Sequence, residues 1–271
     1  MSRESVASQD DSRLGDYRQL SRPDRLASRG LFVAESRHVL RSLVVGGRFR
    51  LRSALLTEPA LDELSEVLDE LEPDIPIFVA PRSLFDDLAG YRFGRGCLAI
   101  AERGSPLLAP GLIDAATGRG GRLVVLDRVA NPDNVGSIFR NARAFGAAGV
   151  LLIGGGDPLY RKAVRVSMGA TLEVPFVGCP AWTPLAETLR GAGFTRLAAV
   201  VDSNAIPAAE LAERFAGRPV ALVLGGEGAG LGAEVLAQCD ATTTVPMASG
   251  IDSLNVATAS GILLHHLAQL S

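Results

Sequence analysis

Beyond Arg122 the chain alternates between short Val/Leu/Ile-rich runs and stretches with helical spacing, and this alternation constrains the fold more than any other feature. The runs are LVVLD, VLLIG, VPFV, RLAAVVD, VALVLG and TTTVPM. Helices are expected between them: one ending at Phe145, one over 163–168, others from about Leu185 and Ala208, a short one after VALVLG, and a last one from about Leu254. Such a chain predicts an α/β fold, with a mostly parallel sheet covered by helices and ligands beyond the carboxyl ends of the strands.

The front of the chain reads as a second, smaller α/β unit. Residues 1–16 are polar and are expected to form a flexible tail. Over 17–105 helices are expected at 35–45, 61–71 and 83–88, and strands at 51–57, 75–80 and 97–101. GSPLLAPG and the glycine-rich TGRGG place a linker with a short helix at 106–121, leaving 122–271 as the larger domain. With 271 residues, 47% of them hydrophobic, there is material for two cores.

The formal net charge is −3, which excludes a polycation holding nucleic acid by bulk charge. Charge is nonetheless uneven. Residues 1–52 carry 11 arginines against 6 acids, a basic front that could meet phosphates or be a solvated surface. Cys97, Cys179 and Cys239 lie far apart with no nearby histidine, so neither a metal site nor a disulfide framework is expected. The start lacks a signal-peptide pattern and no apolar run is long enough to span a membrane, so a cytoplasmic location is expected.

Three segments carry chemistry. In LDRVANPDNVGSIFRNARAFG a strand ends at Asp127, Asp133 is placed to cap a helix, and Val135, Ile138, Phe139 and Ala142 form its buried stripe. Arg140 then lies opposite that stripe and Asn134 in the first turn at its flank. Both are either presented to a substrate near the strand ends or simply solvated. In VALVLGGEGAGLG a buried strand enters a glycine-rich turn whose backbone can approach a ligand, with Glu227 on the ligand or orienting the loop. Its spacing fits neither a dinucleotide fingerprint nor a P-loop. In TVPMASGIDSLNVATASGILLHHLAQL, Ser253 is expected to cap a helix with Asn255 at the same edge, and Val256, Ala259, Leu263 and Leu267 form an apolar stripe for a core or a partner helix.

Taken in this order, NPDNVGSIFRNARAFG, GGEGAG and VPMASGIDSLNVATASGI resemble the motifs of the SpoU, or TrmH-like, branch of the SPOUT RNA methyltransferases. The resemblance runs from about Leu123 to the end, and FVAESRHVLRSLV and YRFGRGCLAIAE are similar to parts of the L30e-type RNA-binding domain that often precedes such enzymes. It implies a deep trefoil knot, S-adenosylmethionine as methyl donor with S-adenosylhomocysteine as product, and a homodimer with paired C-terminal helices. Donor contacts would fall at Gly225, Val245 and Leu254, with Gly226 and Met247 beside them. Valine replaces the usual isoleucine at 245, and alanine the usual serine at 257.

The resemblance further implies 2'-O-methylation of an RNA ribose. Arg140 would stand at the hydroxyl, Asn134 would orient the RNA or Arg140, and Ser253 and Asn255 would shape the pocket beside Glu227. Ribosomal RNA of the 23S type is favoured over transfer RNA, because a front RNA-binding domain suits a large structured target. The alternatives are a tRNA 2'-O-methyltransferase and a non-catalytic RNA-binding protein on the same fold. A nucleotide-dependent dehydrogenase is disfavoured by the glycine spacing, and a hydrolase by the absence of GxSxG.

Overall fold

The computed structural model describes residues 2–20, 22–89, 93–117 and 121–269. Met1, Tyr91 and Arg92 of YRFGRGCLAIAE, 118–120 of the expected linker and Leu270 of the third motif segment lie outside the described residues. The chain forms two compact units, one of residues 1–105 with 158–173, the other of 106–157 with 174–271.

The first unit contains β1 (Ser2–Ser5), α1 (Pro23–Ala27), β2 (Leu31–Glu35), α2 (Arg37–Gly46), β3 (Leu51–Leu56), α3 (Glu58–Leu68), β4 (Pro76–Val79), α4 (Arg82–Ala89) and β5 (Cys97–Glu102). Its sheet runs β1-β4-β3-β5-β2, with β5 antiparallel to both neighbours. The tail expected over 1–16 is instead part of this unit. Ser2–Ser5 pairs in parallel with Pro76–Val79, Val6 and Leu14 are buried, and Arg13 bridges Glu4 and Asp11. SRES is an edge strand without apolar alternation, so nothing in its pattern signals a strand.

Glu35, expected to begin a helix, ends β2, and α2 starts beyond Ser36, whose hydroxyl accepts from the Val39 N–H at 3.4 Å. The basic excess of the front is largely answered inside the unit. At least six of its 11 arginines (3, 13, 29, 37, 50 and 52) pair with carboxylates, several of which come from beyond residue 52. A phosphate-binding role for that front therefore loses much of its free charge.

The chain continues through α5 (Ala109–Thr117), β6 (Arg122–Asp127), α6 (Pro132–Ala144) and β7 (Gly149–Ile153). Residues 158–173, bearing α7 (Arg161–Val166) and α8 (Ala170–Glu173), then rejoin the first unit, which corrects the expectation of one domain over 122–271. The segment buries Ala163, Val164, Ala170 and Leu172 and brings an ion-pair cluster. The Glu35 side chain, 2% exposed, accepts from Arg161 Nε at 2.9 Å and Nη2 at 2.7 Å, and from Arg165 Nη1 at 3.3 Å. A buried carboxylate needs such charge-assisted partners.

The second unit is completed by β8 (Phe176–Cys179), α9 (Trp182–Gly191), β9 (Thr195–Ala199), β10 (Ile206–Pro207), α10 (Leu211–Arg214), β11 (Val220–Gly225), α11 (Ala233–Ala237), β12 (Ala241–Thr244) and α12 (Val256–Ala268). All its strand pairs are parallel, in the order β10-β12-β9-β11-β6-β7-β8. Alternate residues such as Leu123, Val125, Ala221 and Val223 pack with Trp182, Leu185 and Leu189 of α9 in one core. The expected linker is corrected here too, since Leu112, Ile113 and Ala116 make α5 part of that core.

Candidate active site

The sheet grows outward from β6, with β7 and β8 on one side and β11, β9, β12 and β10 on the other, so the strand order reverses between β6 and β11. In parallel α/β sheets such a reversal opens a crevice at the carboxyl ends, where ligands bind. Here the loops that follow the two strands interlock. The Gly226 N–H donates to the Asp127 carbonyl at 2.8 Å, and a Cβ on Gly226 would come within 2.3 Å of the Arg128 carbonyl oxygen. A Cβ on Gly225 would meet the Gly230 backbone at 2.5 Å. Only glycine lets these backbones come so close.

A cavity of about 610 Å³ lies beyond the ends of β9, β11 and β12, within the roughly 300–1,000 Å³ usual for small-molecule and cofactor sites. Gly225, Gly226, Glu227, Val245, Met247 and the run 253–255 all line it, so the residues expected to hold a donor and most of the expected polar set surround one space. The apolar stripe of the last helix has a double use. Val256, Ala259 and Leu263 line the cavity, while Leu263 and Leu267 are also buried.

Three polar side chains form a continuous chain beside this cavity. The Asn255 side-chain oxygen accepts from the N–H groups of Ala257 and Thr258 and so caps α12, while its amide donates to Asn134 Oδ1 at 2.9 Å. Asn134, buried in the first turn of α6, donates in turn to Glu227 Oε1 at 2.5 Å. Partial burial would raise the Glu227 pKa. Hydrogen bonds from Asn134 and from backbone amides, those of Ala130 and Asn131 among them, outweigh that and hold it below the ordinary value. The three sequence segments thus meet through one residue each.

Two expected caps move. Asn255, not Ser253, caps α12, and Ser253 lines the cavity and is exposed. Asn131, not Asp133, caps α6, its side chain accepting from the Asp133 N–H at 2.9 Å, because Pro132 fills the first helical position and pushes the cap back. The stripe of Val135, Ile138, Phe139 and Ala142 is wholly buried, as its spacing requires. Arg140 lies opposite it, exposed and outside the cavity lining.

Asn141 escaped the sequence reading. It donates to the Ala257 carbonyl at 2.8 Å and to Ser260 Oγ at 2.9 Å, fastening α6 to α12 beside the small Gly261. A signal was available, for Asn141 stands seven residues after Asn134 and therefore on the same helical face.

Sheet, crevice and cavity define a class first: a parallel α/β protein that binds a small molecule at its carboxyl edge. The chain belongs to the SpoU rRNA Methylase family, whose model matches residues 121–265, and it is an RNA methyltransferase. It is 35% identical to an uncharacterized tRNA/rRNA methyltransferase of Mycobacterium tuberculosis, over 96% of this chain and 90% of that protein. It is 32% identical to a 23S rRNA (guanosine-2'-O-)-methyltransferase of Acinetobacter baylyi, over 74% of this chain and 82% of that one. The crystal structure of an AdoMet-bound rRNA methyltransferase from Sinorhizobium meliloti superposes with a TM-score of 0.82 at 25% identity, covering 98% of this chain and 97% of the other.

Proposed function

We propose that this protein methylates a ribose 2'-hydroxyl of ribosomal RNA, of the 23S type, with S-adenosylmethionine as donor. The observation that carries the reading is the hydrogen-bonded chain from Asn255 through Asn134 to Glu227, which ties the three motif segments together at the edge of the cavity. The residues fit the donor. The glycine turn at 225–226, which has no room for a Cβ, leaves backbone exposed to a ligand, and the loop over 245–254 closes the same space. When bound, S-adenosylmethionine supplies an electrophilic methyl carried on a sulfonium.

The rest of the chemistry belongs to the side chains. Methyl transfer needs the ribose oxygen held in line with the methyl, its developing negative charge stabilised, and its proton released, here to solvent water. Arg140, an exposed cation on α6, positions the hydroxyl and its neighbouring phosphate. Its guanidinium acts as a charge rather than a base, since arginine keeps its proton. Glu227, with its lowered pKa, is a poor proton acceptor and serves to fix Asn134, which orients the bound RNA. The reading includes a trefoil-knotted, homodimeric catalytic domain, an L30e-like front domain that holds the RNA, and a cytoplasmic location. The parallel sheet and the family match support it.

The test is transfer of labelled methyl to separate pools of unmodified ribosomal and transfer RNA, with mapping of alkali-resistant linkages. Wild type should label a ribose of ribosomal RNA. Arg140→Ala should lower turnover by about 100-fold or more while calorimetry shows donor binding unchanged. Label on a base, or full turnover in the variant, overturns the mechanism, and label confined to transfer RNA overturns the substrate. Donor binding without label in either pool would place the target in another RNA and overturn the ribosomal reading.

A further inference from the structure

The charge of the cavity lining points to a property that neither the family match nor the motifs assign. Among the described residues that line it there is no lysine, arginine or histidine, and only two acids, Glu227 and Asp252. The Glu227 carboxylate already accepts from Asn134 and backbone amides. Asp252, on the loop between β12 and α12, has no hydrogen-bond or ion-pair partner among the described residues. Those described residues therefore present one uncommitted negative charge and no positive charge to whatever enters.

We infer that Asp252 is a specificity-determining residue that selects a cationic donor over its neutral product. The inference rests on the proposed identity of the donor. S-adenosylmethionine has a carboxylate, an ammonium and a sulfonium, and so one net positive charge. S-adenosylhomocysteine has lost the sulfonium charge with the methyl and is net neutral. A carboxylate in a lining without cations attracts the first and gains nothing from the second, so the spent product leaves more readily than fresh donor. Because Asp252 is exposed, the attraction is screened by water and salt and amounts to a several-fold preference.

The test is calorimetric binding of three ligands to wild type and to Asp252→Asn. They are S-adenosylmethionine, sinefungin, which has an ammonium where the sulfonium stood, and S-adenosylhomocysteine. The substitution keeps the side-chain size and removes the charge. It should weaken both cationic ligands by about three- to tenfold and leave the neutral one within about twofold. The wild-type preference should shrink as salt is raised, and that of the variant should not. Equal loss for all three ligands would make Asp252 a general contact or a loop support and overturn the inference, as would no loss for any. Failure of wild type to bind any of the three would instead overturn the proposed donor, an outcome distinct from both.

Discussion

Glu227 is held by hydrogen bonds that only its charged form can accept in full, and its pKa is lowered accordingly. The sign follows from linkage. A carboxyl with a depressed folded pKa contributes stability above its unfolded value, and loses it as pH falls through the folded one. The melting temperature of wild type should therefore exceed that of Glu227→Gln at neutral pH, and the gap should close as pH drops below the ordinary 4.5. A gap that stays constant from about pH 7 to about pH 3 would mean the charge of Glu227 does not matter. At this scale the sequence was informative about which residues gather around the cavity and less so about the local structural part each one plays. Ser253 and Asn255 are both good caps two positions apart, and only the path of the loop decides between them.

Among elements, the meeting of α6 and α12 carries the site. Asn134 and Asn141 reach from one helix to the start of the other, and Asn255 works both as cap and as link to Asn134. The two roles can be separated. Asn255→Asp keeps an oxygen for the Ala257 and Thr258 amides but loses the amide donor to Asn134. Its stability in urea should stay within about 0.5 kcal/mol of wild type, whereas Asn255→Ala should cost about 1 kcal/mol through the lost cap. Methyl transfer should fall about tenfold or more in both. An active Asn255→Asp would show that the link to Asn134 is dispensable. The helix and strand pattern beyond Arg122 was legible because each buried strand is a run of branched or leucine side chains and α6 shows a clean helical stripe. β1 was not legible, because an edge strand of SRES owes its place to backbone pairing rather than to apolar side chains.

For the molecule as a whole, the division into units does not follow the order of the chain. Residues 158–173 belong with the first unit, where Arg161 and Arg165 answer a buried Glu35. No local pattern could reveal a pairing between residues so far apart in sequence. Arg161→Met should destabilise the first unit by about 3 kcal/mol in denaturant, since it leaves a buried carboxylate short of its main partner, and the double variant with Glu35→Met should recover most of that loss. Equal stability of wild type and Arg161→Met would mean Arg165 alone suffices.

The same ion pair sets an order of events during synthesis. The first unit leaves the ribosome with a carboxylate destined for its interior and without the two arginines that make that burial tolerable, because β6, α6 and β7 are made before them. Its folding is thereby coupled to translation of the methyltransferase part. A chain truncated before Arg161 would carry a front unit without the partners of its buried carboxylate, so that unit is completed only in molecules that have also begun to make the methyltransferase part.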